Sequence, residues 1–218
     1  MNKLITILLI SCFALFSAKG QVIINEYSAA NYDTYTDNYG EFEDWVELYN
    51  PTAAPIDLNG WALSDKVSNP LKWIFPSSFI IQANGVALIY CSGRNELIGG
   101  NAHSNFKITQ TKGSEVLMLT DATNTFKDSI RVFPNQNSHT RGRQTDGATV
   151  WSVFINGTPN SPNTGALQEY EPAPSFSNAS GYQSAPISLS ISSASSIYYT
   201  LNGDGPNAGS TPYTGPIN

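Results

Sequence analysis

Beyond the first 20 residues no stretch of this chain holds a helical apolar period for three turns; its apolar residues fall into short runs closed by Gly, Pro, Asn and Asp. That pattern confines the chain to an all-β fold, because alternation with period two gathers apolar side chains on one face only when the backbone is extended. Candidate strands lie at 22–27, 44–49, 60–64, 71–75, 85–91, 105–108, 115–120, 126–133 and 149–152. In Asp44-Trp45-Val46-Glu47-Leu48-Tyr49, Val46 and Leu48 are expected to face the core and Trp45, Glu47 and Tyr49 the other side. Val116-Leu117-Met118-Leu119 is apolar on both faces, so a central strand covered on each side is expected there.

Nine short strands separated by such turns suit a two-sheet β-sandwich of immunoglobulin type. Trp45, Trp61, Trp73 and Trp151 read as core packing. No disulfide can hold the sandwich if the first 20 residues are removed, since only Cys91 remains. Cys91 ends the apolar run 86–91 and reads as a small buried hydrophobe.

Residues 1–20 have the anatomy of a secretory signal: Lys3 at the start, an apolar run over 4–16, then Ser17, Ala18 and Gly20 for cleavage. The run is too short to span a bilayer, so no transmembrane segment is expected. Cleavage after Gly20 makes Gln21 the mature N-terminus, with cleavage after Ala18 as the alternative. Secretion or display on the outer cell surface is the expected fate. Lipid anchoring at Cys12 is the lesser reading, because Phe13-Ala14-Leu15-Phe16 continue the apolar run past the cysteine. Losing Lys3 and Lys19 from 11 basic residues leaves 9 against 17 acids, a net charge of −8. Nucleic acid is thereby excluded as a partner, since phosphate binding needs a basic face that releases counterions.

From residue 156 to 174 the composition turns to Pro, Asn, Gly and Thr, which marks a domain boundary. The first domain is taken as 21–163, the linker as 164–171 and a second β module as 172–218. In that module Ile187, Leu189 and Ile191 alternate with serine, and Ile197-Tyr198-Tyr199-Thr200-Leu201 is a second strand-like run.

Residues 22–163 resemble the bacterial lamin-tail domain. The resemblance is carried by Ile24-Asn25-Glu26, Asp44-Trp45-Val46-Glu47-Leu48-Tyr49-Asn50, Ile56-Asp57-Leu58-Asn59-Gly60-Trp61-Ala62-Leu63-Ser64-Asp65, Trp73-Ile74-Phe75-Pro76 and Arg141-Gly142-Arg143. It implies an immunoglobulin-like sandwich without catalytic residues, found in nuclear lamins and in secreted bacterial proteins. Residues 172–217 resemble the chitobiase and β-hexosaminidase C-terminal type of β-sandwich. The carriers are Pro174-Ser175-Phe176-Ser177, Gly181-Tyr182, Ile197-Tyr198-Tyr199-Thr200-Leu201 and Tyr213-Thr214-Gly215-Pro216-Ile217. That is an accessory module, and the resemblance implies no glycosidase activity.

No phosphate loop, dinucleotide fingerprint, zinc spacing or nucleophile elbow is present, so no catalytic residue and no cofactor are expected. His103 and His139 read as surface histidines of polar turns. Hard oxygen ligands in one loop make Asp33, Asp37 and Glu41 the candidate calcium ligands, against the plainer reading of a solvated loop. In the same loop Tyr32, Tyr35 and Tyr39 are the candidate ligand-contact aromatics, for a protein or a cell-surface glycan, against simple loop packing. Glu26 and Glu47 are expected on neighbouring strands, hydrogen bonded at the sandwich edge rather than acting as a catalytic pair.

The expected function is therefore non-catalytic: an exported or cell-surface protein whose sandwiches serve attachment, protein interaction or spacing. The rival expectation is the front of a larger secreted enzyme, such as a spore-coat-type kinase, a nuclease or a polysaccharide hydrolase, with its catalytic domain after residue 218. The second module, short and without cysteine, is expected to be an incomplete sandwich.

Overall fold

Thirteen strands form before residue 155: β1 (Ile23–Ser28), β2 (Trp45–Tyr49), β3 (Ile56–Asp57), β4 (Ala62–Ser64), β5 (Trp73–Ile74), β6 (Ile80–Ile81), β7 (Val86–Tyr90), β8 (Glu96–Ile98), β9 (Asn101–His103), β10 (Val116–Thr120), β11 (Phe126–Arg131), β12 (Thr140–Arg143) and β13 (Trp151–Phe154). They come from a computed structural model that describes residues 21–218. The signal reading of 1–20 and Cys12 lie outside the described residues. Seven strands make one sheet in the order β13-β12-β1-β2-β7-β9-β8, and four make a second in the order β11-β10-β4-β5. Only the β7–β9 pairing is parallel among the pairings of these two sheets.

The core lies between the sheets. Ile24, Val46, Leu48 and Ile89 from the large sheet meet Leu63, Trp73, Leu117 and Leu119 from the small one, none more than 1% exposed. At about 25 cal/mol per Å² of apolar surface, side chains of this size each contribute roughly 1.5–3 kcal/mol when buried. Val46 and Leu48 face this core and Trp45 the opposite side, as the alternation requires. Trp61 and Trp151 pack on the core margin.

Four expectations are corrected. Residues 105–108 form no strand; Phe106 and Ile108 are buried from irregular backbone, so apolar content there signals packing, not pairing. Val116 and Met118 are half-buried because β10 has the core on one face only. Glu26 and Glu47 sit at the middle of the large sheet, not at its edge, since β1 and β2 are flanked by β12 and β7. His103 is fully buried on β9.

A bulge between Ile24 and Glu26 interrupts the β1–β2 register. Ile24 pairs with Leu48 and Glu26 with Glu47, while Tyr27 returns to the core opposite Val46. The extra residue is Asn25, and the bulge lets two consecutive polar side chains, Asn25 and Glu26, serve the outer face.

Contacts divide the chain into two compact units, the first ending at Leu167 and the second running Gln168–Asn218. The composition break at 156 precedes this division because residues 156–163 fold back onto the first unit through hydrogen bonds. The second unit holds four two-residue strands, β14 (Ser175–Phe176), β15 (Ile191–Ser192), β16 (Tyr198–Tyr199) and β17 (Thr211–Pro212), paired β14-β15 and β16-β17. A bridge joins Leu189 to Ile217. None of its residues is buried; Phe176 is 57% and Leu201 83% exposed.

Candidate functional site

The loop between β1 and β2 is built on Asn31. Its amide donates to the carbonyls of Tyr35 at 2.6 Å and Glu43 at 2.8 Å, and its side-chain oxygen accepts from Thr34 Oγ1 at 2.8 Å. Asp37 caps the next turn, Oδ1 accepting the Tyr39 and Glu41 N–H groups at 2.8 and 2.9 Å. Its Oδ2 is buried and lies 4.0 Å from Arg94 Nε, while Arg94 also pairs with Glu41 at 2.5 Å and stacks 4.3 Å over the Tyr39 ring. Asp37 and Glu41 therefore share a guanidinium. Asp33 is bonded elsewhere, accepting from the Ser138 hydroxyl. Among the described residues no three His, Cys, Asp or Glu side chains form a group that could hold a metal ion.

The three tyrosines do not act together. Tyr32 is 64% exposed, whereas Tyr39 donates its hydroxyl to Glu96 at 2.7 Å and meets His103 edge-on. Tyr35 turns inward onto Trp45, Leu88 and Tyr90, and its hydroxyl accepts from Asn160 Nδ2 at 2.9 Å. His103 stacks on Tyr90, with Ser92 Oγ 3.0 Å from Nδ1 and Asn38 Oδ1 2.7 Å from Nε2. Desolvation holds its imidazole below the usual range. Arg94 received no role from sequence because its partners Asp37, Tyr39 and Glu41 lie more than fifty residues away in the chain, and His103, read there as a surface histidine, is buried by Tyr90 and by the loop that carries Asn38.

Behind this loop a strap of residues 156–163 crosses the outer face of the large sheet. Glu26 Oε2 accepts the Thr158 N–H at 3.1 Å and the Thr158 hydroxyl at 2.7 Å; Glu26 Oε1 also takes the Thr140 hydroxyl. Glu47 Oε2 accepts the Asn160 N–H at 2.7 Å, and Glu47 Oε1 accepts from Asn25 Nδ2 at 3.2 Å. Asp146 accepts the Asn163 N–H at 2.9 Å, and Asn163 Nδ2 donates to the Arg143 carbonyl at 2.6 Å. Gly157 is required by space, since a Cβ would come within 2.6 Å of Thr140 Cγ2.

Both glutamates are 0% exposed. Burial pushes Glu47 up to about 8, with Glu26 and Asp146 adding in the same direction against the Asn25 hydrogen bond. Burial likewise raises Glu26 despite its bonds from Thr140 and Thr158. Such shifts often mark catalytic acids. Here each oxygen points at a donor of the strap or sheet and neither carboxyl reaches solvent, so the pair works as a clamp.

Arg143 completes the support. Nε donates to the Ile24 carbonyl at 2.7 Å, one terminal nitrogen to Ala148 O at 2.6 Å, and the other to Asp128 at 2.8 Å. Between loop and strap lies a pocket of ≈220 Å³ lined by Thr34, Tyr35, Trp45, Thr140, Asn156, Gly157 and Pro159.

Compared with known protein families, residues 16–133 match the Lamin Tail Domain, more than half of the chain. The chain belongs to the lamin tail domain family. No curated protein matches it. The lamin tail match ends before β12 and β13, yet β12 pairs with β1 and β13 with β12, so the fold of this lamin tail domain continues beyond the matched segment. The clamp partners Thr140, Thr158, Asn160 and Asn163 all lie there. Their turn-like composition carried no sign that they would return to Glu26 and Glu47.

Proposed function

We propose that this chain is a non-catalytic attachment or spacing part of an exported protein, its lamin tail domain presenting a rigid surface and its second unit an accessory module of the chitobiase C-terminal type. One observation carries the reading: the carboxylates that could do chemistry, Glu26 and Glu47, are saturated with structural hydrogen bonds and closed to solvent. The exposed groups that remain, Tyr32, Tyr39 and the polar rim of the pocket, suit recognition. A net charge of −6 for the whole chain directs that recognition away from polyanions. Immunoglobulin-like domains commonly serve protein or glycan contacts. Calcium at Asp33, Asp37 and Glu41 has no part in the proposal, because Arg94 already neutralises two of the three.

The test expresses residues 1–218 in a bacterial host and sequences the N-terminus of the exported fraction. A chain starting at Gln21, with no turnover on panels of glycoside, phosphoester and phosphodonor substrates, is the expected result. Retention of the uncut chain inside the cell, or turnover lost in Glu47→Gln, would overturn it.

A further inference from the structure

Gln21 stands where the fold begins. Val22, the next residue, is 0% exposed and Ile23 opens β1, so the chain is anchored in the core one residue after Gln21. Gln21 itself is exposed, and its Nε2 donates to the Lys127 carbonyl at 2.7 Å. Lys127 is the residue skipped in the β10–β11 register, between Asp128 opposite Leu119 and Phe126 opposite Thr120. The side-chain amide of Gln21 is thereby held at the surface beside β11, in a hydrogen bond that is itself exposed.

A leader removed after Gly20 leaves this glutamine as the first residue, with an amine and a carboxamide on one side chain's reach of each other. Attack of one on the other is intramolecular, which raises the effective concentration of the nucleophile far above any free amine in solution. The terminal amine has an ordinary pKa near 8, so at neutral pH roughly a tenth of it is unprotonated and nucleophilic. The α-nitrogen attacks Cδ: the N–Cδ bond forms, the Cδ–Nε2 bond breaks, and Nε2 takes one proton from the amine and leaves as ammonia. Neither an oxidant nor a further reactant is needed. The ring is made from atoms of Gln21 alone, so Val22 keeps its place in the core. The exposed bond from Nε2 to Lys127 is the contact given up.

We propose that Gln21 is a modification site that closes into pyroglutamate in the mature chain, leaving it with a neutral end instead of an ammonium. This rests on the export reading, since an internal glutamine has no free amine.

The test expresses residues 1–218 in an exporting bacterial host and measures the mass of the mature chain and of its N-terminal peptide. Both are measured on fresh protein and after a week at about pH 8, where roughly half of the terminal amines are unprotonated. The expected N-terminal peptide begins at residue 21, is lighter than its sequence by one ammonia and resists Edman sequencing. Pyroglutamyl aminopeptidase acting on the denatured chain should then expose Val22 as the first residue. Gln21→Ala has no amide to attack and should keep a free amine and the full mass of its sequence. A free Gln21 amine after that week overturns the proposal, as does an exported chain that begins at Lys19; both leave the export reading standing. A chain that keeps residues 1–20 overturns the export reading and this proposal with it.

Discussion

At the scale of single residues, Arg143 and Gly157 hold positions that no other side chain fills. Arg143 is 9% exposed and spends its guanidinium on two carbonyls and Asp128. Arg143→Met removes the guanidinium that lies over the Trp151 ring and strands those acceptors, and should cost about 3 kcal/mol in urea unfolding, in the range found when a buried ion pair loses one member. Gly157→Ala must move the strap away from Thr140, and should cost about 1–3 kcal/mol by overpacking. An Arg143→Met chain within 0.5 kcal/mol of the parent would refute its assignment as a buried hub. The arginine was visible in sequence only as part of a family-like Arg-Gly-Arg run. Its role needed β1 and β11 to be brought beside it, which local pattern does not encode.

At the scale of elements, the strap is irregular backbone lying on a sheet, and it owes its order to side chains beneath it. The N–H groups of Thr158, Asn160 and Asn163 end on Glu26, Glu47 and Asp146. They should exchange with solvent as slowly as the N–H groups of β2, and Glu26→Ala should speed exchange at Thr158 by more than tenfold. Exchange at these amides as fast as in an open loop would mean that the carboxylates do not hold them. Strands with strong alternation, such as 44–49, were legible because burial of Val46 and Leu48 leaves a period of two. The two-residue strands β3 and β6, and the three-residue strands β8 and β9 joined at Gly99-Gly100, were not, since runs of two or three residues are too short to show a period. The bulge at Asn25 was equally silent, though it sets the candidate site by turning Asn25 and Glu26 toward the same network.

At the scale of the whole molecule, the two units should differ in cooperativity. The first has a closed core; the second has no buried residue, so little apolar burial opposes its chain entropy. Limited proteolysis should cut within 168–218 while the first unit remains whole, and strong protection there would contradict the description of its exposed apolar side chains. The fold class was legible from turn spacing and alternation, and Glu26 and Glu47 were legible as hydrogen-bonded neighbours; their strap partners Thr158 and Asn160 were not, because those bonds join residues more than a hundred positions apart. The central claim is that the buried carboxylates clamp structure at a cost in stability, and pH tests it most directly. Glu47, raised from 4.5 to about 8, and Asp44, raised by burial from 3.8 to about 6, bind protons more tightly folded than unfolded. Their contribution is fully present below the unfolded values and is lost as pH rises through the folded ones. His103, held low by burial, opposes this below about pH 6.5, so the comparison is made against Glu47→Gln, which mimics the protonated acid at every pH. Urea unfolding from pH 5 to 9 should show the parent losing stability relative to Glu47→Gln, on the order of a few kcal/mol across the range. A constant difference between the two chains across that range would contradict the account.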